Sequence, residues 1–215
     1  MYGDRDASAV LIVVDVQNSF VDGALAVPHG GDVVPVINSI ARIFTNVVLT
    51  QDWHPAGHAS FASSHPGRRP FETITLAYGD QVLWPDHCVQ GTADAAFAPG
   101  LAVDHAQLIV RKGCHPSVDS YSAFREADRK TPTGLEGYLK DRGISRVYVT
   151  GLATDFCVAW TALDARNAGF ETSVIEDACR GIDLDGSVAA AWEEMTRSGV
   201  GRVQSSDLIP GSPGI

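Results

Sequence analysis

The sequence predicts an α/β fold, a three-layer α/β/α sandwich around a six-stranded, mainly parallel sheet. Three observations carry this expectation. Short β-branched runs alternate with segments of helical apolar spacing along most of the chain, the signature of βαβ units. The first run, VLIVVD over residues 10–15, is apolar on both faces, as a central parallel strand must be. Three predicted helices end on a glycine, Gly143, Gly169 or Gly199, the residue that most easily takes the left-handed turn at a helix stop.

The elements follow in order. After the first strand, residues 32–44 place Val33, Val36, Ile37, Ile40 and Phe44 at helical spacing. Residues 46–50 form the second strand and 107–111 the third. Residues 135–142 form a helix closed by Gly143, and 146–151 (RVYVTG) the fourth strand. A helix over 155–168 leads to the fifth strand at 171–175. A helix over 184–198 precedes a sixth strand at 200–204. The exception is 52–99, rich in His, Pro, Gly and aromatics with little periodicity. An irregular stretch of that length inside a compact domain usually carries function. No internal repeat or linker divides the chain, so 1–215 reads as one domain with frayed ends at 1–8 and 210–215.

Composition narrows the function classes. The 215 residues are 45% apolar and 20% charged, which excludes disordered and collagen-like chains. The longest apolar run, residues 9–14, is far short of a membrane span. Residues 1–8 lack the basic-then-apolar layout of a secretory signal. Acidic residues outnumber basic ones 26 to 16, for a formal charge of -10, which argues against nucleic-acid and anionic-membrane partners. The four cysteines, at 88, 114, 157 and 179, form no C-x-x-C pair. They read as free thiols in a reducing cytoplasm.

Open α/β sheets place their sites beyond the carboxyl ends of the strands. That edge holds Asp15, then Asp52, Trp53 and His54, then Lys112, then residues 151–157 (GLATDFC). Cys157 falls in the first turn of the 155–168 helix, with Thr154 or Asp155 as N-cap. The helix dipole there would lower a thiol pKa, and unpaired amides could bind an oxyanion. The bland alternative is a small buried apolar residue. Asp15 and Lys112 each end an apolar strand, where a charge is costly unless paired or used. Asp15 could accept the thiol proton and Lys112 could stabilise thiolate and carboxylate; alternatively, the two form an ion pair that only holds loops. Asp52 and His54 lie two apart and so share a side of an extended segment, which makes half of a metal site or a hydrogen-bonded pair. A third ligand could come from His58, His65, His87, His105 or His115. Phe20 and Trp84 either plug the core or sandwich a flat ring. No G-x-G-x-x-G, P-loop, H-E-x-x-H or G-x-S-x-G motif occurs.

Six segments in register extend this reading: 15–18 (DVQN), 51–55 (QDWHP), 60–62 (SFA), 83–89 (LWPDHCV), 112–113 (KG) and 151–158 (GLATDFCV). Together they resemble the nicotinamidases, also called pyrazinamidases, of the isochorismatase-like hydrolase superfamily, over nearly the whole chain. The resemblance implies hydrolysis of nicotinamide to nicotinate and ammonia, a step of NAD salvage, with pyrazinamide as an analogue. It implies Cys157 as nucleophile, Asp15 as general base and acid, and Lys112 as the third triad member. The backbone amides of Ala153 and Cys157 would form the oxyanion hole, beside a cis peptide at Leu152–Ala153. Asp52, His54 and His87 would hold one divalent metal ion, zinc first, with iron or manganese as alternatives. Residues 52–99 become the metal- and substrate-binding insertion, and Phe20 and Trp84 the aromatic pair on the substrate ring. Some members have a histidine where this chain has Ser60, which makes Ser60 the candidate fourth contact; His58 is not expected to ligate.

Two rival readings keep part of this constellation. A metal-free cysteine hydrolase of the same superfamily, acting on another amide, would need the triad alone. A non-catalytic metal-binding or redox-sensing protein would use Cys157 as a reactive thiol.

Overall fold

The computed structural model describes residues 6–209. Among them, six strands form one sheet: β1 (Ala9–Val14), β2 (Asn46–Asp52), β5 (Leu108–Lys112), β6 (Arg146–Leu152), β7 (Glu171–Arg180) and β8 (Gly201–Val203). Their order is β5-β2-β1-β6-β7-β8, and every neighbouring pair is parallel. Strands β3 (Thr73–Leu76) and β4 (Gly79–Val82) form a separate antiparallel hairpin. The helices are α1 (Asn18–Val21), α2 (Val33–Ala41), α3 (Leu135–Asp141), α4 (Ala159–Asn167), α5 (Ser187–Arg197) and α6 (Ser205–Leu208).

The three layers follow from the two-residue period of a strand. In β1, Leu11 and Val13 face one apolar cluster while Val10, Ile12 and Val14 face another. The first cluster is closed by Val33, Ile37, Ile40 and Ala41 of α2. The second is closed by Leu135 and Leu139 of α3, Ala159, Ala162 and Ala165 of α4, and Met195 of α5. The sheet is therefore buried on both faces, as the unbroken apolar run of β1 requires.

Strand order places the site. From β1 the chain steps outward through β2 to β5, then returns to β6 on the other side of β1 and continues through β7 to β8. The direction reverses between β1 and β6, and such a switch point opens a crevice at the strand carboxyl ends. Asp15 follows β1 and Ala153–Cys157 follows β6. Gly151 at the end of β6 has φ +116°, and a Cβ there would lie 2.1 Å from the Val14 carbonyl oxygen. Only glycine lets the two strand ends come this close.

Several expected boundaries shift. Strand β7 runs to Arg180 rather than stopping at Ile175. The acidic pair Glu176–Asp177 resembles a break in the sequence, but Glu176 is paired by Arg202 and Asp177 accepts from Ser205 N–H and Oγ. The helix expected over 155–168 starts as a π-turn, Thr154–Val158, ahead of α4. Periodicity does not reveal the β3–β4 hairpin inside 52–99, because its strands are short and mostly exposed. Of the ends expected to fray, 1–5 and 210–215 lie outside the described residues. Residues 6–8 are held: the Ser8 carbonyl accepts the N–H groups of Ser145 and Arg146.

Candidate active site

Four buried groups meet at the switch point. Lys112, the last residue of β5, is fully buried. Its Nζ lies 2.5 Å from Asp52 Oδ1, 2.8 Å from Asp15 Oδ2, 2.9 Å from the Ser120 carbonyl oxygen and 3.3 Å from Cys157 Sγ. The thiol, Asp15 and Asp52 each present an atom within 4.8 Å of the others. Asp15 has φ +47° and is held by a reciprocal pair. Its N–H donates to Thr50 Oγ1 at 3.1 Å, and that hydroxyl donates to Asp15 Oδ1 at 2.6 Å. The other oxygen, Oδ2, faces Lys112 as an ion pair without an aligned hydrogen bond. One carboxylate oxygen is therefore anchored and the other is available to a proton.

Burial opposes charge on all four groups, and their mutual Coulomb interactions decide the outcome. Burial would lower the Lys112 pKa, but Asp15 and Asp52 outweigh it and hold the ammonium well above its usual range. Burial would raise Asp52, but Lys112 and His54 outweigh it and keep the carboxylate ionised. Asp15 is raised, because burial exceeds the help from Lys112. Cys157 is pushed well up by burial, against Lys112 and with the two carboxylates. This corrects the expected helix-dipole depression of its pKa. The residue starts a π-turn in a dry cluster with two nearby anions, so its resting form is the thiol. The expected caps also differ. Neither Thr154 nor Asp155 caps the helix through its side chain. Asp155 instead accepts from Ile182 N–H (3.0 Å), Asp183 N–H (2.8 Å) and Ser187 Oγ (2.5 Å). It ties the loop after β7 to the turn that carries Cys157.

Next to this cluster, Asp52, His54 and His87 each offer a ligand atom, all within 4.8 Å of one another. The irregular insertion assembles them through backbone bonds. His54 N–H donates to the Cys88 carbonyl at 3.0 Å, and Gln90 N–H donates to the His54 carbonyl at 2.8 Å. Each histidine is oriented by a carbonyl that can only accept. His54 Nδ1–H donates to Gly113 O and His87 Nδ1–H to Pro85 O, both at 2.9 Å. This leaves both Nε2 lone pairs toward Asp52 Oδ2, at 3.5 and 3.6 Å. His54 Nε2 is buried with no hydrogen-bond partner. Two oriented imidazoles and a carboxylate converging with an orphaned nitrogen fit a divalent metal ion. Gly113, at φ +65°, makes this possible: a Cβ there would lie 2.4 Å from His54 Cε1.

Asp52 therefore belongs to both clusters, with Oδ1 on Lys112 and Oδ2 toward the histidines. Ser60 does not join the group through its side chain: Oγ pairs with His58 Nδ1 at 2.8 Å. His58 Nε2 is taken by the carbonyls of His115 and Val118. Among the other candidate histidines, His65 binds the Ala59 carbonyl and His105 the Ala41 carbonyl.

A pocket opens onto both clusters, lined by Phe20, Leu25, Asp52, Trp84, His87, Asp119, Tyr121, Ala153, Phe156, Cys157 and Ile182. Phe20 and Trp84 are both in the wall. Phe20 meets the His87 ring edge at 5.7 Å. Trp84 meets Phe156 edge-on at 4.9 Å and donates from Nε1 to Tyr121 Oη at 3.1 Å. The Leu152–Ala153 peptide is cis. Residues that the sequence did not single out also shape the site. Gln17 donates to the Asp52 carbonyl at 2.9 Å and accepts the Asp52 N–H at 2.8 Å. Asp119 and Tyr121 enter from a stretch with no periodicity to mark them.

A family model described as the isochorismatase domain matches residues 9–207. The chain is 58% identical over 203 residues to a nicotinamidase of Acinetobacter baylyi, covering 94% of this chain and 95% of that protein. A solved nicotinamidase/pyrazinamidase of Acinetobacter baumanii is 62% identical with a TM-score of 0.94, covering 95% of this chain and 100% of that one. A pyrazinamidase of Pyrococcus horikoshii, solved in complex with zinc, is 37% identical with a TM-score of 0.75, covering 92% of this chain and 99% of that one.

Proposed function

The chain belongs to the isochorismatase family, and from that premise we propose that it is a nicotinamidase, hydrolysing nicotinamide to nicotinate and ammonia and accepting pyrazinamide as an analogue. The observation that carries this reading is Cys157 on the wall of an aromatic-lined cavity, clustered with Lys112 and Asp15 and next to Asp52, His54 and His87.

An amide is a poor electrophile with a poor leaving group, so it needs a strong nucleophile, donors for the oxyanion and an acid for the departing nitrogen. Phe20 and Trp84 hold the ring. Asp15 takes the Cys157 proton as Sγ attacks the carboxamide carbon, and Lys112 holds the developing thiolate and the carboxylate pair in place. The backbone N–H groups of Ala153 and Cys157 donate to the oxyanion. The carbon–nitrogen bond then breaks, the proton on Asp15 passes to the nitrogen, and ammonia leaves a thioester on Cys157. Water, deprotonated by Asp15, cleaves the thioester to nicotinate and returns the thiol. Asp52, His54 and His87 would hold a divalent ion, zinc ahead of iron or manganese, whose Lewis acidity would orient and polarise the ring. The reading places the enzyme in the cytoplasm, with a small molecule as substrate and no nucleic-acid or membrane partner.

Ammonia release from nicotinamide tests this, with intact protein and Cys157→Ala, each before and after chelation. Turnover is expected to fall at least about 10³-fold in Cys157→Ala and to drop on chelation. Turnover that survives chelation would remove the metal from the reading. No turnover by intact, metal-loaded protein would overturn the activity.

A further inference from the structure

Phe71 carries two costs that the pocket wall does not account for. Its φ is +72°, a backbone region that bulky side chains rarely enter, and the residue is 50% exposed. The same loop uses glycine, Gly67, where it takes φ +81°. Glycine would hold the turn at 71 without strain, so the turn alone does not explain a phenylalanine. Strain of this kind persists where surrounding bonds impose it, and it gathers at ligand clamps. The bonds here are explicit. Phe71 N–H donates to the Leu83 carbonyl at 2.6 Å, and Leu83 N–H donates to the Glu72 carbonyl at 2.8 Å. They continue the β3–β4 pairing beyond Thr73 and Val82 and fix Phe71 beside the residue that precedes Trp84.

The Phe71 ring meets Trp84 edge-to-face, with 6.1 Å between centroids and 89° between planes. Trp84 lines the pocket and Phe71 does not. Two further rings stand nearly perpendicular to the same indole, Phe156 at 4.9 Å and 89° and Tyr121 at 6.4 Å and 84°. Both of these line the pocket. The indole N–H is committed to Tyr121 Oη, and that oxygen also accepts from Gln81 Nε2 of β4 at 2.9 Å. Trp84 is therefore gripped from the pocket side by Phe156 and Tyr121 and from outside the pocket by Phe71. We propose that Phe71 is a positioning residue for the substrate ring: it fixes the tilt of Trp84, so that a flat aromatic amide meets a preset indole face. A wall ordered in advance binds more tightly than one the ligand must order. The inference rests on the proposed function and gives the β3–β4 hairpin a part in it.

The test compares wild type, Phe71→Ala, Phe71→Gly and Phe71→Tyr by steady-state kinetics with nicotinamide and by thermal melts. The alanine and glycine variants are expected to raise KM about 2- to 10-fold, the range for loss of one edge-to-face aromatic pair. Their kcat should stay within about twofold of wild type, because Cys157, Asp15 and Lys112 keep their places. Phe71→Tyr keeps the ring and is expected to retain the wild-type KM. Phe71→Gly separates the ring from the backbone. It should melt above Phe71→Ala, since glycine takes this φ without strain, and still show the raised KM. An unchanged KM in Phe71→Ala overturns the proposal. So does a glycine variant with the wild-type KM, which places the effect in the backbone, and so does a tyrosine variant as impaired as alanine. Wild type without turnover overturns the nicotinamidase reading and this inference with it; an active wild type beside an unchanged Phe71→Ala overturns the inference alone. If Phe71→Ala does not fold, Phe71→Gly provides the same comparison.

Discussion

Gly113→Ala offers a sharp test of how the metal group is built, because one methyl group acts on two quantities at once. The backbone cost comes first. Gly113 sits at φ +65°, and a non-glycine residue in the left-handed region costs about 1–2 kcal/mol. For a chain of this size, each kcal/mol lowers the melting temperature by about 2–4 °C, so the backbone term alone predicts a fall of about 2–8 °C. The steric effect falls on His54. The new Cβ would lie 2.4 Å from Cε1 and 2.6 Å from Nδ1, whereas carbon–carbon contacts settle near about 3.5 Å. The ring must therefore retreat by about 1 Å, several times the roughly 0.2 Å tolerance of a metal–ligand distance. The ring is also hydrogen-bonded to the Gly113 carbonyl itself, so it cannot move without losing its orientation. Zinc affinity should fall at least about 100-fold, with activity falling alongside it. The control is Gly137→Ala in α3, where the glycine is helical and a Cβ would meet nothing within 4 Å. There the helix gains about 0.5–1 kcal/mol and zinc binding is untouched. Zinc titration and thermal melts of both variants decide the matter. Wild-type zinc affinity in Gly113→Ala would refute the claim that this glycine seats His54.

Further expectations follow from other parts of the structure. Asp155→Asn replaces a carboxylate that accepts three donors and should cost about 2 kcal/mol. Because Ile182 lines the cavity, it should raise KM for nicotinamide more than it lowers kcat; an unchanged KM would separate the loop from the pocket. Glu176 is held below its usual pKa by hydrogen bonding to Arg202. Its contribution is therefore present at neutral pH and lost as the pH falls below the ordinary value of 4.5. The pair is partly exposed, so Glu176→Gln should cost at most about 1 kcal/mol at pH 7 and progressively less as the pH falls below 4.5. A destabilisation that persists at acid pH would assign the loss to packing instead.

The sequence determined the layers and half of the site. An apolar run as pure as residues 9–14 can be satisfied only by burial on both faces, so β1 had to be central. A charge that ends such a run had to be paired or used, which picked out Asp15 and Lys112. Asp52 and His54 were legible because a two-residue spacing needs no tertiary information. What remained open were contacts that no local period encodes. Five histidines were candidates for the third ligand, and backbone bonds between residue 54 and residues 88–90 bring His87 beside Asp52 and His54. Ser60 and Asp119 lie in irregular segments, where a side chain's direction depends on long-range hydrogen bonds, and only the folded chain turned one to His58 and the other to the cavity. The protonation of Cys157 was likewise a tertiary property. Helix position argued for a lowered pKa, but burial beside Asp15 and Asp52 outweighs a helix terminus, because electrostatic interactions strengthen where water is excluded.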